Sequence, residues 1–259
     1  MQEQQPARLL CVDWDGVVCR SAKETGKAGL LTAAKLRDSQ VPEDHVVEDL
    51  LEQFEVARPC LEVGWEAAII MHALWARSLT PAVVLESFHS SLKDDIMKEL
   101  ELTEASAKQV FHDTRTSWMS SNKEAWLALH GFFEDTQQHL QRIIASDTNT
   151  KVAVITTKGK DFAAPLVQQA SLAIPDEFIF GLEAGKKWDV LSSLLEEHPD
   201  ATCIFVEDRL NTLLAVHERL GERVQLYLVD YGYNTPQQRQ QAQEHPAITV
   251  ISSFAQLPA

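Results

Sequence analysis

Basic residues are scarce in this chain. Lysine and arginine number 23 against 38 aspartates and glutamates, a formal net charge of −15 with a pI near 5.0. That balance argues against nucleic acid as a partner, because counterion release needs a basic surface. An anionic metabolite would also have to find local Lys, Arg or metal charge against the overall field. Long apolar runs are missing too: no stretch of about eighteen uncharged apolar residues occurs, so no membrane partner is expected. The 4 cysteines form no CxxC pair and no zinc spacing. Cys11 and Cys203 sit inside apolar, strand-like runs, the pattern of buried reduced thiols in a cytoplasmic protein. Met1-Gln2-Glu3-Gln4-Gln5-Pro6 has neither the basic nor the apolar segment of a signal peptide.

What is present is a globular chain of 259 residues, 45% hydrophobic, long enough for one large domain or a domain carrying a smaller insert. Apolar runs predict strands at Arg8 to Val12, Lys151 to Thr156, Thr202 to Val206 and Val224 to Val229, with a weaker one at Ile248 to Ile251. Helical patterns at Phe162 to Ala170, Val190 to Glu197 and Thr212 to Leu220 alternate with them. This order predicts an α/β, Rossmann-like core with a parallel sheet, whose chemistry collects at the carboxyl ends of the strands. The Gln-rich stretch Gln237 to Gln243 reads as a solvated helix face.

The block from about Ser21 to His130 is different in kind. It holds helical patterns at Ala22 to Arg37, Asp44 to Ala57, Leu61 to Arg77, Pro81 to Phe88 and Glu104 to Thr114, and no convincing strand. Asp44 reads as an N-cap, and Thr80 as another with Pro81 at the first helical position. The expected organisation is a core of residues 1–20 and 131–259, its first later helix at Asp135 to Ile144, interrupted by an all-helical domain at 21–130. Hinges are expected near Arg20 to Ala22 and Ala128 to Phe132. Within the block Trp65, Ile69 and His72 share one helical face, which predicts core packing, with His72 the candidate for a substrate contact.

Residues 9 to 18, Leu-Leu-Cys-Val-Asp-Trp-Asp-Gly-Val-Val, end a buried strand on Asp13 and Asp15 and turn at Gly16. Two carboxylates this close repel each other unless a positive charge lies between them. A hard divalent cation with oxygen ligands would supply it; an ordinary Asp-x-Asp-Gly turn is the plainer reading. Two further strand ends and the loop before one of them bear on the choice. The run Val152 to Ile155 ends at Thr156-Thr157-Lys158-Gly159, where a hydroxyl and free N–H groups suit a phosphate oxygen, or Thr156 caps a helix. Lys186 and Lys187 stand just before a helix. The run Cys203 to Val206 ends at a second acidic pair, Glu207 and Asp208, as a divalent cation opposite the first pair requires.

Taken in order, these pieces resemble the four motifs of the haloacid dehalogenase-like hydrolase superfamily: Val12-Asp13-Trp14-Asp15-Gly16-Val17, Ile155-Thr156-Thr157-Lys158, Gly185-Lys186-Lys187, and Phe205-Val206-Glu207-Asp208. Tyr231-Gly232-Tyr233-Asn234 also looks like the aromatic-Gly turn common there. The resemblance covers about half the chain. It implies that Asp13 is a nucleophile forming an aspartyl phosphate and that Asp15 moves the proton. Thr156, with Thr157, and a lysine at 187 or 186 would hold the phosphoryl oxygens. Mg²⁺ would sit between Asp13, the Asp15 carbonyl and Asp208, with Glu207 reaching it through water. Thr212 stands where many members carry a further Asp, leaving Glu207 to supply that charge. Because dehalogenases do not use an acid at the Asp15 position, the resemblance implies a phosphatase on a small phosphorylated metabolite. The helical block would be its mobile cap and Arg20 a candidate substrate contact at the hinge. The rival readings are a phosphomutase on sugar phosphates and a silent binding protein of the same fold.

Overall fold

The protein is described by a computed structural model over residues 8–258; the reading of Met1 to Pro6 falls outside the described residues. The chain forms two compact units, one from residues up to Arg20 together with those from Phe132 onward, the other from Ser21 to Gly131.

The first unit is α/β. Its strands are β1 (Arg8–Val12), β2 (Cys19–Arg20), β3 (Gly131–Phe132, whose first residue is the last of the second unit), β4 (Thr150–Ile155), β5 (Ile179–Phe180), β6 (Thr202–Glu207), β7 (Val224–Val229) and β8 (Ile248–Ile251). Six of them form a parallel sheet in the order β5-β4-β1-β6-β7-β8, and β2 and β3 form a separate two-stranded sheet. Helices at Lys160–Gln169, Lys187–Glu197, Leu210–Leu220 and Pro236–Glu244 connect the successive parallel strands from β4 to β8. Central strands of a parallel sheet are covered on both faces and so must be apolar on both. This is why β1 reads as an unbroken run, with Leu9, Leu10, Cys11 and Val12 all buried.

Strand order reverses at β1, which lies between β4 and β6, and in open α/β sheets ligands collect outside the carboxyl ends at such a point. Val12 pairs with Val154 on one side and Val206 on the other, so the residues just beyond these three reach the same edge. Val190, Leu191, Leu194 and Leu195 form the buried face of Lys187–Glu197 and pack with Leu9, Cys11 and Phe205. Pro236–Glu244 buries only Ala242, as its glutamines predict. All four cysteines are free and buried.

The second unit is helical, with segments at Ala22–Leu36, Asp44–Ala57, Glu66–Met71, Pro81–Ser87, Lys93–Glu99, Glu104–Ser121 and Lys123–Ala128. Its boundaries depart from the expected ones for identifiable reasons. The helix expected from Leu61 begins only at Glu66, because the Glu66 carboxylate accepts the N–H groups of Glu62 and Val63 at 2.7 and 3.1 Å and holds that stretch as a loop. It continues as a widened turn over His72–Ala76, where the Arg77 N–H reaches back five residues to the His72 carbonyl. Asp44 is the first helical residue and not the N-cap; Glu43 precedes it in extended conformation with no side-chain cap. Thr80 does cap, its Oγ1 accepting the Val83 N–H ahead of Pro81.

Trp65, Ile69 and His72 are buried in this unit's core. The His72 ring lies 3.1 Å from the Glu99 carboxylate, which Arg77 also pairs, and burial holds the imidazole below its ordinary pKa. Two features tie the helices together. At Gly29 an added Cβ would lie 2.5 Å from the Ala67 carbonyl oxygen, so Ala22–Leu36 and Glu66–Met71 cross where no methyl fits. The fully buried Glu24 accepts Arg115 Nε and Nη2 at 2.8 and 2.5 Å and Trp126 Nε1 at 2.7 Å.

Candidate active site

The carboxyl ends of β1 and β6 carry the two acidic pairs. The Asp13 N–H donates to the Val206 carbonyl at 2.9 Å, extending the β1–β6 pairing by one residue and setting Asp13 beside Glu207 and Asp208. One carboxylate oxygen from each of these three lies within 4.8 Å of the others, and all three residues are buried. Lys187 answers part of that charge. Its Nζ lies 2.5 Å from Asp13 Oδ1 and 2.7 Å from Glu207 Oε2. It is the first residue of its helix, where the backbone dipole disfavours a cation, so the two carboxylates must more than offset that position.

The protonation equilibria follow from this crowding. Burial pushes the Asp13 carboxyl up to about 7; Lys187 opposes the rise, and Glu207 and Asp15 add to it. Burial likewise raises Glu207 to about 7, Lys187 opposing and Asp208 adding. For Lys187 burial acts downward, but the two carboxylates outweigh it and hold the ammonium above its ordinary range.

Both oxygens of Glu207 are engaged. Oε2 meets Lys187, and Oε1 accepts the N–H groups of Asp208 and Arg209, each at 3.1 Å. Asp208 is set by the aromatic-Gly turn: its Oδ2 accepts the Tyr233 N–H at 2.6 Å, and Asn234 Nδ2 donates to the Asp208 and Val229 carbonyls at 2.8 Å. Glycine is required on both flanks. At Gly16, φ +88°, a Cβ would meet Asp208 Oδ2 at 2.0 Å, and at Gly232 it would meet Asp208 Cβ at 2.3 Å.

Thr156 follows β4 and is buried, its N–H donating to the Phe180 carbonyl and its Oγ1 accepting the Lys158 N–H at 3.1 Å. It does not cap the next helix, which starts after Gly159. Two of the expected phosphate contacts are not brought in: Thr157 is exposed, and Lys186 is exposed with its ammonium 5.9 Å from the Trp188 ring. Of the two lysines, Lys187 is the one that meets Asp13 and Glu207. Arg20, also exposed, lies with its guanidinium 4.7 Å from the Phe133 ring centre. One residue was missed as a site candidate. Lys158 is buried, and its Nζ stands 3.4 Å from Asp15 Oδ1; the sequence signal for it is only a lysine two residues after Thr156.

No protein-family model matches the chain, and no curated protein matches it in sequence. Solved structures do match over nearly its whole length. A predicted phosphoglycolate phosphatase from Haemophilus somnus aligns over 96% of this chain and 95% of its own, at 17% identity and a TM-score of 0.61. A predicted phosphatase from Clostridium acetobutylicum aligns over the same shares, at 17% identity and a TM-score of 0.58. A haloacid dehalogenase-like family hydrolase from Streptococcus pneumoniae aligns over 94% and 93%, at 15% identity and a TM-score of 0.53. The fold is that of the haloacid dehalogenase-like hydrolases. Within a haloacid dehalogenase-like fold the sheet edge bearing Asp13 and Asp208 lies at the reversal of strand order, where a parallel sheet offers its ligand site.

The donor set suits a hard divalent cation. Asp13 and Asp208 offer carboxylate oxygens, and oxygen is the ligand atom that Mg²⁺ favours. Three buried carboxylates gather there, and the Lys187 ammonium meets two of them, Asp13 and Glu207.

Proposed function

We propose that this protein is a Mg²⁺-dependent phosphatase acting on a small phosphorylated metabolite through an aspartyl phosphate on Asp13. The observation that carries the reading is Lys187, held 2.5 Å from Asp13 and 2.7 Å from Glu207 at the edge where Thr156, Asp15 and Asp208 also end their strands. The three solved structures named above support it by fold, and two of them are named as predicted phosphatases.

In this reading Asp13 attacks phosphorus, replacing one difficult displacement by two easier ones. Lys187 and the Thr156 hydroxyl hold the phosphoryl oxygens against it. Asp15 gives its proton to the departing oxygen and later takes one from the attacking water. Glu207 acts through Lys187 by keeping the ammonium over Asp13. Asp13, Asp208 and the Asp15 carbonyl would hold Mg²⁺, which when bound offsets charge on the transferring phosphoryl group. The helical unit from Ser21 to Gly131 is assigned the part of a cap that excludes bulk water and sets specificity, hinging near residues 20–22 and 128–132. The four free, buried thiols support a reducing, cytoplasmic setting.

The test is phosphate release from p-nitrophenyl phosphate. Turnover should require Mg²⁺ and vanish in Asp13→Asn. Turnover without metal, or full activity in Asp13→Asn, would sink the reading.

A further inference from the structure

A cation sits beside each of the two aspartates of the first motif, and only one of them has been given a task. Lys187 belongs to Asp13. On the other side, Lys158 places its Nζ 3.4 Å from Asp15 Oδ1, with its side chain 2% exposed and that of Asp15 14%. The lysine is not there as a surface residue folded back. Its N–H donates to Thr156 Oγ1 at 3.1 Å, and its carbonyl accepts the Leu182 N–H at 3.0 Å. The backbone is thus fixed at both polar groups, between the end of β4 and the loop that leads to Lys187.

A buried lysine ammonium is held only where a charge partner repays its desolvation. Here the contact, at 3.4 Å, is longer than a charge-assisted hydrogen bond. The pair is an ionic contact at one carboxylate oxygen of Asp15. A carboxylate free to rotate about its last torsion would spend much of its time misdirected, whereas proton transfer requires the donor oxygen within about 3 Å of the acceptor.

We propose that Lys158 is a positioning residue for the proton transfer: it holds one oxygen of Asp15 and so fixes the direction in which Asp15 faces the departing oxygen. The inference rests on the reading of Asp15 as proton donor. The same ammonium also couples two strand ends, since the turn that seats it also engages the Thr156 hydroxyl.

Leaving-group dependence tests this. An alkyl leaving group needs its proton from Asp15 as the P–O bond breaks, whereas p-nitrophenolate leaves without one. Lys158→Met and Lys158→Gln are compared with the parent protein, in Mg²⁺, on p-nitrophenyl phosphate and on β-glycerol phosphate. The readout is kcat/KM, which reports the step that expels the leaving group, and thermal melting shows that each variant is folded. The expected result is a loss on the alkyl ester larger by on the order of tenfold than the loss on the aryl ester, with Asp15→Asn showing the same selectivity. Equal losses on the two esters in a folded variant, or no loss on either, would overturn the role of Lys158 while leaving the phosphatase reading intact. Failure of the parent protein to turn over either ester would overturn both.

Discussion

Lys187 and Lys186 are adjacent lysines with opposite fates. Lys187 lies between two buried carboxylates, whereas Lys186 is exposed. Removing one partner from a buried ion pair costs about 3–5 kcal/mol because the remaining charge is left uncompensated. Lys187→Met should therefore lower the urea-unfolding free energy by roughly 3 kcal/mol and abolish phosphate release. Lys186→Met should change neither, and equal effects at both positions would contradict the assignment. Gly16 is the second discriminating position. Gly16→Ala combines a left-handed φ with a methyl driven into the Asp208 carboxylate. It should reduce activity more than stability, as Mg²⁺ titration beside a melting curve would reveal.

At the scale of elements, the strand ends were the most legible part of the chain. Three apolar runs ending in polar signatures named Asp13, Thr156, Glu207 and Asp208, because a buried strand gives no reason to finish on such residues. Less legible was anything decided by contacts distant in sequence. Lys186 and Lys187 could not be separated by helix periodicity alone; what separates them is that Lys187 is the residue that meets β1 and β6. Glu207 is expected to reach the metal through water; its carboxylate also meets Lys187 and two backbone amides, contacts that no strand-end pattern reveals. Strand β5 is two residues long and has no period to detect. The helix expected from Leu61 starts late because the Glu66 side chain competes for the backbone donors before it.

The helical unit has its own point of vulnerability in the Glu24 site. Arg115→Ala should cost about 3–5 kcal/mol of stability by leaving the Glu24 carboxylate buried without its bidentate partner. Chemical denaturation would measure it. A cost under about 1 kcal/mol, typical of an exposed pair, would show that water reaches this carboxylate.

The whole molecule is acidic, and Asp13, Glu207 and Asp208 gather three buried carboxylates at the sheet edge. A carboxyl whose folded pKa is raised holds its proton more tightly when folded than when unfolded. Its contribution is therefore present at pH below the unfolded value and lost as pH rises through the folded value. For Asp13 and Glu207 that window runs from the ordinary carboxylate range to about 7. Metal-free protein should lose stability across it as pH rises. Mg²⁺ binds the ionised form and should restore the loss, so its increment in Tm is expected to be larger at pH 8 than at pH 5. Scanning calorimetry with and without Mg²⁺ checks this, and an increment that shrinks with rising pH would be the wrong sign.

The pairing of β1 with β4 and β6 also has a consequence for how the chain is made. Arg8 meets Thr150, 142 residues later, and every described residue from Ser21 to Gly131 is synthesised in between. Translation at about 5–20 residues per second leaves β1 without its neighbours for on the order of ten seconds. During that time Leu9, Leu10, Cys11 and Val12 form an unpaired apolar segment of the kind that nascent-chain chaperones capture. The helical unit carries its own hydrophobic core and can fold first, closing most of the loop before β4 emerges. Asp13 and Asp15 are thus among the first described residues to leave the ribosome and among the last to be seated, once the β6 strand has arrived.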